Sequence, residues 1–315
     1  MTYKKHFLIL VSLIGALALT YAVSVIVTSY SGSVSSMYSW LDSRLAARTV
    51  RIVMSAQENE EEIELVKKSN QWFVLYNGAE FPARQIRIED FINIFTAKSS
   101  WPVRSSSAST HSRFGIDQAQ ARVTIFGENT TLLDLLLGSD DIFRNETYFR
   151  KAGQNEVRSG SSTVKTYITG SISSWYNLRL VPETENGSLD VSSVQKLSVY
   201  TPQEVQVFTR KNRGWEISGI NVQKPDFSAI ESYARGILTI EGDNFDDSIT
   251  ASDSSLDLIS IMLELGNGRI VTIRLSDADE SGRRYAHVAG KDYIYVIPTW
   301  MGNRLFRDAS SFEMQ

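Results

Sequence analysis

The sequence predicts an α+β protein: an N-terminal transmembrane helix followed by two tandem, related domains, each a mainly antiparallel sheet with one packed helix. Three observations predict it. Residues Phe7 to Val27 carry no charge. A strand, turn and amphipathic helix at Gln71 to Phe95 recurs at Gly214 to Leu238, where Trp215 and Pro225 each lie 143 residues after Trp72 and Pro82. Most of the remaining chain alternates short apolar runs with Gly- and Asn-rich turns, the pattern of hairpins.

With 315 residues, 42% of them apolar, the chain is long enough for two domains that each bury a core. A net charge of -4 with scattered Lys and Arg provides no basic surface for phosphates, so no nucleic-acid partner is expected. Zero cysteines exclude disulfides, thiolate zinc sites, cysteine nucleophiles and a lipid-carrying cysteine.

The apolar run, about 31 Å long as a helix at about 1.5 Å per residue, matches a hydrocarbon core of about 30 Å. Lys4 and Lys5 precede it, so the positive-inside rule places residues 1–6 in the cytoplasm and the bulk of the chain outside the cytoplasmic membrane. The competing reading is a cleaved signal peptide ending near Ala16-Leu17-Ala18 or Ala22-Val23-Ser24, although such apolar regions usually span about 7 to 15 residues. The expected organisation is a tail at 1–6, an anchor at 7–27, a Ser-rich spacer at 28–46, a first domain at 47–181, a linker at 182–190 and a second domain at 191–315.

In the first domain, Thr49 to Ser55, Ile63 to Lys67 and Gln71 to Tyr76 read as strands, the last closed by Asn77-Gly78. Pro82 fits the first turn of a helix whose apolar face is Ile88, Phe91, Ile92 and Phe95. Ser99 to Ser112 reads as a loop. Ala121 to Phe126 and Thr131 to Leu137 form a hairpin ending at Gly138, Tyr148 to Lys151 and Ser162 to Ile168 are further strands, and Ser171 to Leu180 is a short helix with Trp175 at the core edge.

The second domain repeats this order. Its strands are Leu197 to Tyr200, Val205 to Arg210, Trp215 to Ser218, Leu256 to Leu265 and Arg269 to Leu275, and its helix starts at Pro225 with Asp226 as N-cap. Phe227, Ile230, Ala234, Ile237 and Leu238 form that helix's buried face. Tyr285 parallels Tyr148, and Trp300-x-x-x-Arg304 parallels Trp175-x-x-x-Arg179. Trp72, Pro82, Phe91, Ile92, Phe95, Trp215, Pro225 and Ile230 are therefore expected to be structural.

Six short motifs follow one another through the first copy: Trp72, Pro82-Ala83-Arg84, Gly115-Ile116-Asp117, Leu136-Leu137-Gly138, Tyr148 and Leu178-Arg179. In this order and spacing the chain resembles the bacterial family of domain of unknown function 4340, over about Ile63 to Leu180 with a degenerate second copy to about Arg307. Arg84 stands where that family usually has Asp, and no Pro follows Asp117. The resemblance implies a membrane-anchored extracytoplasmic protein, often encoded beside export-type ABC transporter components, including gliding-motility-like ones, and implies no catalytic residues.

Chemistry-bearing residues are sparse. His111 sits among serines without the strand-turn-helix elbow of a Ser-His enzyme, and His287 falls in a strand as a half-exposed residue. Glu60 to Glu62 lack calcium-loop spacing. Asp243, Asp246 and Asp247 are the best candidate cation ligands, in a stretch that otherwise reads as a solvated acidic loop. No cofactor and no catalytic residue is expected. The function expected is a non-enzymatic, single-pass accessory or scaffold protein that binds a partner in a membrane complex such as an ABC-type exporter. The alternative is an extracytoplasmic module holding a small molecule or glycan between the two domains, lined by Trp101, Trp175 or Trp300. Differences between the copies, at Ser99 to Ser112 and Glu241 to Asp257, are where function is expected.

Overall fold

The structure, a computed structural model, describes residues 14–21, 23, 37–57, 62–181, 189–212, 214–246, 248–249 and 252–314. The expected anchor is described only at residues 14–21 and 23, which are helical. Among the described residues, no helix is long and apolar enough to cross a membrane. Glu60, Glu61, Asp247 and residues 182–188 of the expected linker lie outside the described residues.

The fold is α+β, and every described strand pairing is antiparallel. In the first half the strands are β1 (Met37–Tyr38), β2 (Arg51–Ala56), β3 (Ile63–Lys68), β4 (Gln71–Tyr76), β5 (Ala79–Pro82), β6 (Ser99–Ser100), β7 (Val103–Ser105), β8 (Ala121–Phe126), β9 (Thr131–Asp141), β10 (Glu146–Lys151) and β11 (Val157–Ser161). The second half has β12 (Val194–Tyr200), β13 (Val205–Lys211), β14 (Gly214–Ser218), β15 (Asn244–Asp246), β16 (Ile259–Leu265), β17 (Ile270–Leu275), β18 (Arg284–Val288) and β19 (Ile294–Ile297). The helices are α1 (Ser43–Ala46), α2 (Gln85–Thr96), α3 (Thr163–Thr169), α4 (Phe227–Leu238) and α5 (Thr299–Leu305). The chain divides into two compact units, Met1–Trp72 with Gln85–Ser171 and Phe73–Arg84 with Ile172–Gln315.

A nine-stranded sheet has the order β5-β4-β3-β2-β8-β9-β10-β11-β7, and an eight-stranded sheet has the order β14-β13-β12-β16-β17-β18-β19-β15. Without β5, the two orders are the same when β2 is matched to β12, β8 to β16 and β7 to β15. Alternation of buried and exposed residues, as in Ile52, Met54 and Ala56 of β2 or Ile259, Ile261, Leu263 and Leu265 of β16, turns one face of each sheet to a core.

In α2, Ile88, Phe91 and Phe95 are buried as the helical spacing requires, while Ile92 is half-buried. The helix begins at Gln85 and not at Pro82, because Pro82 pairs with Phe73 as the last residue of β5. In α4, the Asp226 carboxylate accepts from the main-chain N–H groups of Ser228 and Ala229, and Ile230, Tyr233, Ala234, Ile237 and Leu238 are buried. Phe227, expected inside, is 41% exposed, and its ring lies over Gly214, at whose Cβ position it would be 2.5 Å away.

Other differences have clear causes. Ser162 to Ile168 is rich in β-branched residues yet forms α3, since Val164 and Ile168 fall on one face of a helix and are both buried. The strand expected there is β11, five residues earlier. β9 continues past Gly138 to Asp141, with a register shift opposite β10. The Ser-rich segment after Ser99 is ordered by Trp101, which is buried, and by the pairing of β6 with β1 and of β7 with β11. Trp40 and Leu41, placed in the spacer, are buried in the same unit, with Trp40 edge-on to Trp101.

Two main-chain bridges define the register of the repeat. Ala83 pairs with Tyr176, and Pro225 pairs with Glu313. Around them Arg84 N–H donates to Trp175 O at 2.8 Å and Asp226 N–H to Phe312 O at 2.8 Å, while Asn177 N–H donates to Pro82 O at 2.7 Å and Met314 N–H to Lys224 O at 2.9 Å. Pro225 thus corresponds to Ala83, not to Pro82. The counterpart of Trp175 is Phe312, not Trp300: both sit at the end of a 3-10 turn and both are fully buried, whereas Trp300 is on α5 and 57% exposed.

Candidate functional site

Apart from Trp72, whose main chain is held by Gln85, the short motifs gather in two places. In one, the chain around Pro82-Ala83-Arg84 is bridged to Trp175-Tyr176-Asn177, whose continuation pairs with residues 240–242: Leu180 N–H donates to Ile240 O and Gly242 N–H to Leu178 O. Asp243 N–H then donates to Val296 O beside β15. On this ladder Glu241 meets two cations, Arg179 Nε at 3.2 Å and Arg84 Nη2 at 3.6 Å. Arg84 Nε also donates to Tyr176 O. Beside these charges Phe81 stacks on Phe245, with ring centroids 4.8 Å apart, and Tyr176, Tyr293 and Tyr295 close the cluster. Burial pushes the Tyr295 hydroxyl far above its usual range, and the same group donates to Arg179 O at 3.1 Å.

The second cluster lies at the β9 bulge, where Gly138 and Ser139 together face Tyr148. Phe114 and Ile116 pack there with Val157 and Tyr148. Gly115 has φ +67, and a Cβ on Gly138 would overlap Phe114 O, so both motif glycines are required by backbone conformation or close approach. His111 is buried against Asn155 O at 2.9 Å, with Asp117 at 3.8 Å from its Nδ1.

The family profile for domain of unknown function 4340 (DUF4340) matches residues 72–257. The chain belongs to the DUF4340 family. Neither a curated protein nor a solved structure matches it. The DUF4340 match runs as one span from β4 through α4 to the 3-10 turn before β16, past Leu180, the end expected for the first copy, and into the expected second copy.

Within that DUF4340 span the acidic stretch has defined partners. Asp246 accepts from Ser248 N–H and Oγ–H and from Ile249 N–H, closing its own loop. Asp253 accepts from Ser255 N–H at the start of a 3-10 turn, which holds its carboxyl below the usual range. Asp257 accepts from Arg274 Nη1 at 2.7 Å. Asp243 is exposed. Among the described residues, no group of three His, Asp or Glu side chains is placed to hold a metal ion.

His287 is buried, not half-exposed, because β18 is an inner strand. Its Nδ1 lies 2.8 Å from Arg274 Nη2 and its Nε2 2.8 Å from Lys291 O. Arginine only donates and a carbonyl only accepts, so the ring carries its proton on Nε2. Trp101 and Trp175 are likewise buried in the core and present no stacking face to a ligand.

Sequence reasoning missed the β9–β10 tip. Ile142 is 88% exposed and Phe143 fully so. The tip is held in shape: Phe143 N–H donates to the Asp141 carboxylate, Arg144 N–H to Asp141 O, and Ser162 Oγ–H to Asn145 Oδ1. The signal available was Asp141-Ile142-Phe143-Arg144-Asn145, two apolar residues inside a turn that polar residues alone would satisfy.

Proposed function

We propose that this protein is a non-enzymatic, single-pass membrane-anchored extracytoplasmic accessory or scaffold protein that binds a partner protein in a membrane complex such as an ABC-type exporter. The apolar run Phe7 to Val27 is its anchor, with the N-terminus in the cytoplasm, and its folded part is a duplicated α+β domain. The observation that carries the partner-binding reading is the Ile142-Phe143 pair, an aliphatic and an aromatic side chain held in water by a hydrogen-bonded hairpin tip. Adjacent exposed apolar groups of this kind supply the anchors of protein interfaces. The motif residues support the same reading from the other side, since Arg84, Arg179 and Glu241 are engaged with one another and with the main chain.

Affinity purification of the full-length chain from crosslinked membranes in mild detergent tests it. A defined protein partner, depleted by Phe143→Asp, is the expected result; recovery of the chain alone, with and without crosslinker, overturns it. Protease added to intact spheroplasts should digest the chain after about Ser29, and full protection would overturn the orientation.

A second reading, a binding module for a small molecule, has one observation in its favour. A groove of about 770 Å³ in the second unit is lined by Val199, Gln206, Leu258, Arg284, Phe306 and Arg307. Gln206 is buried, and its Oε1 has no hydrogen-bond partner among the described residues.

A further inference from the structure

The two sheets share one strand order, and the place where they part is an edge. In the first sheet, β4 is covered by β5. The pairs that close there are Tyr76 with Ala79 across Asn77-Gly78, then Val74 with Phe81 two residues further on. In an antiparallel pair alternate residues turn their main chain towards the neighbour, so Val74 and Tyr76 face β5 while Phe73 and Leu75 turn away from it. The next outward residue, Trp72, lies beyond the end of β5, and the Gln85 side chain serves it: Trp72 N–H donates to Gln85 Oε1 at 3.1 Å and Gln85 Nε2 donates to Trp72 O at 3.2 Å. Every outward group of that edge has a named partner.

In the second sheet β14 is the terminal strand. Its hairpin with β13 closes at Lys211 and Gly214, so Gly214, Glu216 and Ser218 face β13 while Trp215 and Ile217 turn their N–H and C=O outward. Trp215 is the counterpart of Trp72, and Ile217 that of Val74. No strand corresponds to β5 among the described residues, and the position of Gln85 is taken by Phe227, whose side chain has no amide and whose ring lies over Gly214. Among the described residues, no hydrogen bond besides those to β13 engages the main chain of Trp215 or Ile217. The other edge strands of these two sheets are blunted: β5 has four residues and ends in Pro82, and β7 and β15 have three residues each. β14 has five, without proline.

We propose that the outer edge of β14 is a docking site for an extended segment of the partner protein, which adds to the sheet antiparallel to Trp215–Ser218 as β5 adds to β4. The occupant's chemistry follows from the first sheet. There the residue opposite Val74 is Phe81, buried among aromatics. The segment that pairs with β14 therefore carries a bulky apolar side chain opposite Ile217 and brings main-chain donors and acceptors to Trp215 and Ile217. This inference rests on the partner-binding reading above and names a surface for it distinct from the Ile142-Phe143 tip.

The test has two arms. In the purified full-length protein, residue-resolved amide exchange should find Trp215 and Ile217 exchanging orders of magnitude faster than Glu216 and Ser218. Slow exchange at Ile217 in the isolated protein means that the edge is already occupied and overturns the proposal. In native membranes, photo-crosslinkers at Glu216 and at Ser218 of the full-length chain should both map to one contiguous partner segment. Ile217→Pro, which removes only an outward N–H, should abolish both adducts while the melting transition stays cooperative. Adducts joining two copies of this chain, or adducts insensitive to Ile217→Pro, overturn the proposal. A partner that is captured by the hairpin tip but never by residues 216 and 218 overturns the edge while leaving the partner-binding reading intact; absence of any partner removes both.

Discussion

Trp175 and Phe312 occupy one position in two copies of the same topology, each fully buried and each accepting a main-chain hydrogen bond of 2.8 Å, from Arg84 and Asp226 respectively. The side chains differ and the backbone relation does not. Replacing either by Ala empties the largest space in its closing segment and should cost about 3–5 kcal/mol, measured by urea denaturation. Trp300→Ala, at an exposed site, should cost less than about 1 kcal/mol. Equal losses at Trp175 and Trp300 would contradict the assigned equivalence.

The two long helices begin differently. Asp226 caps α4, whereas its counterpart Arg84 cannot cap α2, and Gln85 spends its amide on Trp72. Asp226→Ala should cost about 0.5–2 kcal/mol through the lost cap. Gln85→Leu should cost about 1–3 kcal/mol by leaving the Trp72 main chain unpaired, and should speed amide exchange at Trp72 selectively.

Close approaches at glycine make a third prediction. The Trp101 ring lies against Gly160, where any Cβ would overlap it, and Gly138 lies against Phe114 O in the same way. Gly160→Ala and Gly138→Ala should each lower stability by about 1–3 kcal/mol, read in the same denaturation assay. Gly153→Ala, with open space around the Cβ but φ +77, should cost less and act through backbone strain alone.

These positions show which parts of the fold were legible in the sequence. Asp226 as N-cap, the buried positions Ile88, Phe91 and Phe95 of α2 and Ile230, Ala234, Ile237 and Leu238 of α4, and β4 and β8 to the residue were legible because each is set by local periodicity and capping, whereas Phe227, expected on the same face of α4, is 41% exposed. The exchange of Pro82 for Ala83 as the partner of Pro225, and of Trp300 for Phe312 as the partner of Trp175, was not. Both are fixed by pairing between segments about ninety residues apart, as Arg84 Nε to Tyr176 O shows with a separation of 92. Within a one-residue deletion, identical residue types outweighed position. The candidate site was legible as a set of motifs but not as a geometry: nothing local in Glu241 indicates that Arg84 and Arg179 converge on it. Phe143 went unremarked because a hydrophobic residue in a turn is visible as unusual only once its exposure is known.

Alkaline stability follows from the tyrosines. Burial raises Tyr295 and Tyr233 well above the ordinary value of 10.0, so the folded state keeps protons that the unfolded chain releases. Their contribution is fully present below about pH 10 and is lost as pH rises beyond it. Denaturation midpoints should therefore fall steeply above pH 10, and Tyr295→Phe should flatten that fall. A slope unchanged by Tyr295→Phe would remove this residue from the account.

The hairpin tip separates stability from function. Ile142→Ser and Phe143→Asp should leave the melting temperature within the error of a change of about 0.5 kcal/mol, because both side chains already stand in water. The most direct measurement of the proposed partner binding is a photo-crosslinker in place of Phe143 in the full-length chain, expressed in its own cells. A single discrete protein adduct, lost when Ile142 is also changed to Asp, is the predicted result. A chain that crosslinks to nothing, or equally to many proteins, would contradict it.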